Sequence, residues 1–177
     1  MASDVFKVQS FDESSTDHYS GFAVRTVNPT STPQICAMEY VFDANEEEQE
    51  CCGCPITNDG LRTQTSDDLA DNPSNGAPFE NGIVKIVSSL PNSASVICNP
   101  ALAPSLTPAL RPSLVHAERL GGISGTSVQS FDDAPLDQTE LNNLVNTCAF
   151  IHLNQSGAGI CTCGQGDNFP ASPHAGR

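Results

Sequence analysis

Eight cysteines in 177 residues constrain this chain more than any other feature. They stand at Cys36, Cys51, Cys52, Cys54, Cys98, Cys148, Cys161 and Cys163. Five of them form two tight knots, Cys51-Cys52-Gly53-Cys54 and Cys161-Thr162-Cys163. A reducing cytosol seldom keeps so many thiols unless they bind metal, whereas an oxidising compartment joins them into disulfides. The chain is long enough to bury a core without cross-links, so the expectation is a hardened, exported domain with all eight cysteines paired. Along an extended strand Cys52 and Cys54 share a face and Cys51 takes the other; Cys161 and Cys163 share a face likewise. Two such pairs facing each other would form neighbouring rungs, one arrangement among roughly 105 pairings. A Cys51–Cys52 bond is disfavoured, because adjacent residues strain the disulfide geometry.

The alternative use of these thiols is a metal or redox site. Cys51 and Cys54 have the CxxC spacing of a zinc half-site, but the distant second knot is CxC, and four cysteines would be left over. A redox CxxC usually opens a helix, which Pro55 makes harder here.

Charge sets the next limits. There are 21 Asp and Glu against 7 Lys and Arg, a formal net charge of −14. That argues against ordinary nucleic-acid binding, which needs a basic footprint, and equally against anionic membrane surfaces. No stretch is long enough to span a bilayer. The N-terminus lacks the basic and apolar regions of a signal peptide; the cysteine usage favours a mature exported form with that leader removed. Asn154-Gln155-Ser156 is a glycosylation sequon that matters only on a eukaryotic secretory route.

Short apolar runs separated by Pro, Gly, Asn, Asp and Ser clusters predict a mainly β protein, a disulfide-stapled β-sandwich, Ig-like or similar. Residues 1–20 form an N-terminal segment, 21–165 the sandwich, and 166–177 an irregular tail. Expected strands are Val5–Val8, Gly21–Val27 (Phe22, Val24 and Thr26 on one face), Ile35–Asp43 (Cys36, Met38, Tyr40 and Phe42 on one face), Glu50–Thr57, Gly82–Ser89, Ser93–Cys98, Leu110–Leu120, Thr126–Phe131 and Ile160–Cys163. Pro55 restricts Glu50–Thr57 to an edge or a bulge. Asn58-Asp59-Gly60 signals a hairpin whose return strand is Leu61–Thr65. Residues Ser66–Asn81 read as an exposed loop. One helix is expected near 138–152, capped by Asp137, with Glu140 completing a capping box. Its stripe is Leu141, Leu144, Val145, Cys148 and Ile151. Cys148 therefore bridges inward and pins the helix to the sandwich.

Catalytic constellations are not evident. His18, His116, His152 and His174 have no matching ligand at helical spacing. His116-Ala117-Glu118 resembles half of a zinc-deaminase signature, but the downstream PCxxC is missing. Gly122-Ile123-Ser124-Gly125 falls one residue short of a nucleophile elbow. No phosphate-binding glycine motif is present. No cofactor is expected; the acidic loops at Asp43–Glu50, Asp67–Asp71 and Asp132-Asp133 lack the EF-hand order and allow weak calcium binding at most. Lys85 shares a strand face with Ile83 and Val87; an edge-facing lysine is the ordinary explanation, and an isopeptide cross-link the unusual one.

The run Cys36-Ala37-Met38-Glu39-Tyr40-Val41-Phe42-Asp43, followed by Glu50-Cys51-Cys52-Gly53-Cys54-Pro55, resembles uncharacterised cysteine-rich secreted proteins of acidobacterial type. The Cys148 helix end and Gly159-Ile160-Cys161-Thr162-Cys163 look like the same pattern. The resemblance runs from Phe22 to Cys163 with a weak middle. It implies export and disulfides, and no activity.

Together these readings predict a non-enzymatic extracellular domain, structural or adhesive. In one version it is a filament subunit that self-associates by strand addition. The donated segment would be Asp4–Phe11, with Val5, Phe6, Val8 and Phe11 as its apolar side chains. A metal-binding or redox protein is the alternative, and a hydrolase would need His116 or His152 beside a carboxylate in a pocket.

Overall fold

A computed structural model of the chain describes residues 4–13, 18–31, 34–70, 78–92, 97–120, 123–154 and 163. Two antiparallel sheets carry the fold. The strands are β1 (Phe6–Asp12), β2 (His18–Val27), β3 (Gln34–Asp43), β4 (Glu48–Thr57), β5 (Leu61–Thr65), β6 (Asn81–Leu90), β7 (Ser105–Leu106), β8 (Arg111–Leu120), β9 (Ile123–Ser130) and β10 (Asp132–Asp133). The helices are α1 (Ser66–Leu69) and α2 (Gln138–Asn154). One sheet runs β10-β1-β6-β3-β4, with β7 also on β6; the other runs β5-β2-β8-β9. The mainly β sandwich expected from the strand spacing is the observed fold.

Strand alternation divides the core into two layers. Ile35, Ala37 and Val41 of β3 meet Phe22, Val24 and Leu114 of the second sheet, filling the space between the sheets. The intervening Cys36, Met38 and Tyr40 face outward and meet Leu141, Leu144 and Cys148 of α2. The first sheet is thus covered on both faces, which explains why β3 reads as an almost unbroken apolar run. Its neighbour β4 lies at the sheet edge, where Pro55, opposite Cys36, removes no required ladder bond. At the N-terminal end of α2, Asp137 Oδ1 accepts a bond from the Glu140 amide at 2.8 Å.

Several expectations are corrected. β5 does not return along β4: it pairs with β2 in the other sheet, so Asn58-Asp59-Gly60 is a crossover between layers. Asp59 takes φ 52° there, and the Gly60 amide donates to the Thr57 carbonyl at 2.9 Å. The Ser66–Asn81 stretch is not wholly a surface loop, because Leu69 and Ala70 at the end of α1 are buried in the sandwich core. Glu140 does not complete a capping box; its carboxylate meets Lys85 at 2.6 Å. Lys85 lies on the central strand β6, not at an edge. Ile97 and Cys98 are not in a strand. Residues 93–96, the 155–162 stretch with its expected last strand and Cys161, and the 166–177 tail with His174 lie outside the described residues.

Candidate functional site

Cys51, Cys52 and Cys54 occupy consecutive positions of one edge strand, so alternation sends them to different layers. Cys51 points outward and bonds Cys148 of α2, with Cα atoms 5.9 Å apart. Cys54 points between the sheets and bonds Cys163, at 5.3 Å. Cys52, beside it in the same layer, is also disulfide-bonded. Cys36 bonds Cys98 at 5.5 Å, holding the 97–100 segment over β4. There Gly53 leaves room for the Cys98 carbonyl: a Cβ at this position would stand 1.9 Å from that oxygen. The pinning of α2 by Cys148 is therefore observed. The CxxC pair of the metal alternative, Cys51 and Cys54, falls in opposite layers. If these cysteines were reduced, two groups would be close enough to share an ion. They are Cys52, Cys54 and Cys163, and Cys51, Cys148 and His152, each with ligand atoms within 4.8 Å. Burial pulls the His152 imidazole below its usual range.

Beside Cys52 sits an acid that the sequence reading passed over. Glu39 is wholly buried between the sheets. Desolvation pushes its carboxyl up to about 8, against the opposing pull of Arg62 and of a hydrogen bond from Gln64. With its amide turned toward Glu39, Gln64 of β5 donates from Nε2 to Oε1 at 2.9 Å and to Oε2 at 2.7 Å. The Cys52 sulfur lies 3.7 Å from Oε2, where a protonated Glu39 can donate to it. The signal was visible: Glu39 interrupts a run that is apolar on both faces.

A second buried acid borders an open pocket. Val41 pairs with Glu50 and Phe42 with Glu48, so Gln49 is an extra residue in β4. Without this bulge Glu48 would point between the sheets; with it, Glu48 joins Phe42 on the helix side. Asp43 fixes the hairpin by accepting bonds from the Asn45 amide at 2.8 Å, the Glu47 amide at 3.1 Å and Gln49 Nε2 at 3.0 Å. Its carboxylate thus shapes the turn. Between hairpin and helix lies a cavity of about 880 Å³, bordered by Glu46, Glu47, Glu48, Lys85, Glu140 and Phe150 among others. Desolvation pushes the Glu48 carboxyl up to about 9, with Lys85 opposing and Glu140 reinforcing.

His116 does stand beside a carboxylate. Its Nδ1 is 2.6 Å from Glu13 Oε1, and its ring is buried next to Phe22. That geometry orients an imidazole that is 5% exposed. His18 pairs through its backbone with Glu118 on β8.

The four residues of the expected assembly strand divide between the layers. Val5, Phe6 and the partly buried Val8 pack toward α2, and Phe11 packs between the sheets. Phe6, Val8 and Phe11 lie on β1, which Val5 just precedes, and β1 lies between β10 and β6 of its own chain. Lys7 binds Asp4 at 2.5 Å and also Asp133. Burial lowers the Lys7 pKa, but the two carboxylates outweigh it and hold the ammonium above its usual range. The Lys7 hydrogen bond, partly opposed by desolvation, lowers Asp4.

Comparison of the chain with protein-family models, with characterised proteins and with solved structures gave no match. Among the described residues no helix is long and apolar enough to cross a membrane.

Proposed function

We propose that this chain is a non-enzymatic extracellular domain, structural or adhesive, that associates with copies of itself. The observation that carries the reading is the placement of the staples. Cys51–Cys148 ties sheet to helix, Cys36–Cys98 ties sheet to an irregular segment, and Cys54–Cys163 closes the sandwich core. Cross-links that span separate layers harden a domain against the denaturation and proteolysis met outside cells. Assembly by strand addition would exchange β1, the first of the described strands, which pairs along its length with β6 and over two residues with β10. A neighbour's β1 would fill the same slot with the same contacts.

Two measurements test this. Native protein alkylated without reductant should gain no mass, and should gain label at all eight cysteines after reduction. Labelling before reduction, or only after a chelator, would favour the metal-binding or redox alternative. Electron microscopy and sedimentation of the full chain should show oligomers or filaments that vanish when residues 1–11 are deleted. A chain that stays monomeric at every concentration, or polymers that survive the deletion, would overturn the assembly reading.

A further inference from the structure

The strands that end the two sheets are β4, β10, β5 and β9, and three of them carry features that discourage another strand from pairing there. β4 is buried from Glu48 to Cys54, contains Pro55, and has the Cys98 carbonyl against Gly53. β10 is two residues long, and both are aspartates. β5 has five residues and carries Arg62. β9 is the exception. It runs for eight residues, ISGTSVQS, with no charge and no proline. Among the described residues its backbone bonds only to β8, which leaves the amides and carbonyls of its other side open to a further strand. Gly125, Thr126, Val128, Gln129 and Ser130 are exposed, and a Cβ at Gly125 would meet no atom within 4 Å. A long, open, uncharged edge is a template for pairing with another chain.

We propose that β9 is a self-docking edge: β9 of one copy pairs antiparallel with β9 of a second copy about a two-fold axis, joining two four-stranded sheets into one of eight strands. This rests on the proposed self-association and assigns it a surface. Charge selects a second copy as the occupant. At a formal net charge of −14, copies repel one another over most of their surface. β9 lets them approach without setting like charges opposite each other. Symmetry adds to this, because identical strands related by a two-fold axis are self-complementary in an antiparallel ladder. Thr126 and Val128, the latter 64% exposed, are β-branched residues on one face of the strand. Pairing centred near Ser127 sets them beside their counterparts from the other copy. A single strand pair buries less than the roughly 1,600 Å² of a standard interface, so the dimer is reversible with concentration.

β9 leans on β1 at one end. Gln9 Nε2 donates to Gln129 Oε1 at 2.7 Å, and Asp132 and Asp133, which follow β9, pair with Val8 and Lys7 of β1. Deleting residues 1–11 therefore removes a support of β9 together with any exchange of β1, and does not separate the two contacts. A substitution on β9 itself leaves β1 whole and does separate them.

Sedimentation velocity of the full chain over a wide concentration range, with hydrogen exchange measured at both ends of that range, tests this. The expected result is a monomer–dimer step in which amides within 124–130 gain protection. Val128→Lys, which brings like charges together across the axis, should weaken the dimer by about ten-fold or more. Leu61→Lys, at an exposed position of β5, makes the same change in charge and should leave the dimer unaltered. A synthetic peptide of residues 4–12 probes the other occupant, a neighbour's β1. The proposal is overturned if association protects amides elsewhere and not within 124–130, if Val128→Lys associates as the wild type does, or if the peptide protects 124–130 in the monomer. In each of these outcomes the self-association reading survives. A chain that stays monomeric at every concentration overturns both. Should Val128→Lys fail to fold, the location of protection in the wild-type chain decides it.

Discussion

Glu39 enters the sandwich core as a neutral acid. Its folded pKa of about 8 lies above the value of about 4.3 for an unfolded Glu. The folded state therefore holds a proton that the unfolded state has released between those values. The sign follows: Glu39 leaves stability intact below about pH 4, erodes it as pH rises, and adds no further loss above its folded pKa. Replacing it with Gln keeps the shape and removes the titration. We expect Glu39→Gln to raise stability at pH 8 by about 1–3 kcal/mol and to change it little at pH 4, as read by denaturant unfolding. Equal effects at both pH values would show that the acid is not neutral in the fold. Gly53 acts at the same scale through volume alone. A methyl group there meets the Cys98 carbonyl, so Gly53→Ala should cost about 1–3 kcal/mol through overpacking and slow closure of Cys36–Cys98. A wild-type unfolding midpoint in Gly53→Ala would refute this. The glycine inside the cysteine knot thus has a packing reason that the motif's spacing alone did not reveal.

At the scale of elements, α2 shows what the sequence made legible and what it hid. Its apolar stripe and its Asp137 cap follow from local pattern, and the structure reproduces both. The inward bridge of Cys148 followed from the same stripe. The strands β2, β3, β6 and β8 were legible too, because short apolar runs bounded by turn residues are a local signal. What stayed hidden depends on partners distant in sequence. The turn chemistry of Asn58-Asp59-Gly60 suits a hairpin, yet β5 serves the other sheet because Gln64 pairs opposite Val24 and turns inward to Glu39. Glu140 has the spacing of a capping box, but Lys85 on β6 is a stronger partner than a backbone amide. The bulge that re-aims Glu48 is an offset between two strands, which a single run of residues cannot display. The helix also separates its own terms. Cys51–Cys148 closes a sequence separation of 97 residues, so removing it as the Cys51→Ala/Cys148→Ala double variant should cost about 2–5 kcal/mol. Asp137 and the Lys85–Glu140 pair remain, so circular dichroism should still report α2 at low temperature. Loss of the helix signal in the folded double variant would mean that the bond, not the packing, forms the helix.

Across the whole molecule, two electrostatic effects point the same way, and one experiment separates them. The chain carries a formal net charge of −14, so surface repulsion grows as carboxylates ionise and opposes the compact state. Glu39 and Glu48, raised to about 8 and about 9 by burial, also make the fold less stable as pH climbs from about 4 toward their folded values. Salt acts on only one of these. At 1 M sodium chloride the screening length is about 3 Å, which suppresses repulsion between exposed charges but leaves desolvation of a buried acid in place. In low salt we expect thermal stability to fall steeply from pH 5 to pH 9. In 1 M salt the fall should become shallower without disappearing. The slope that remains belongs to the two buried acids, and in Glu39→Gln/Glu48→Gln it should flatten. If salt alone abolishes the slope in the wild-type chain, the surface accounts for all of it, and neither acid is held neutral by the fold.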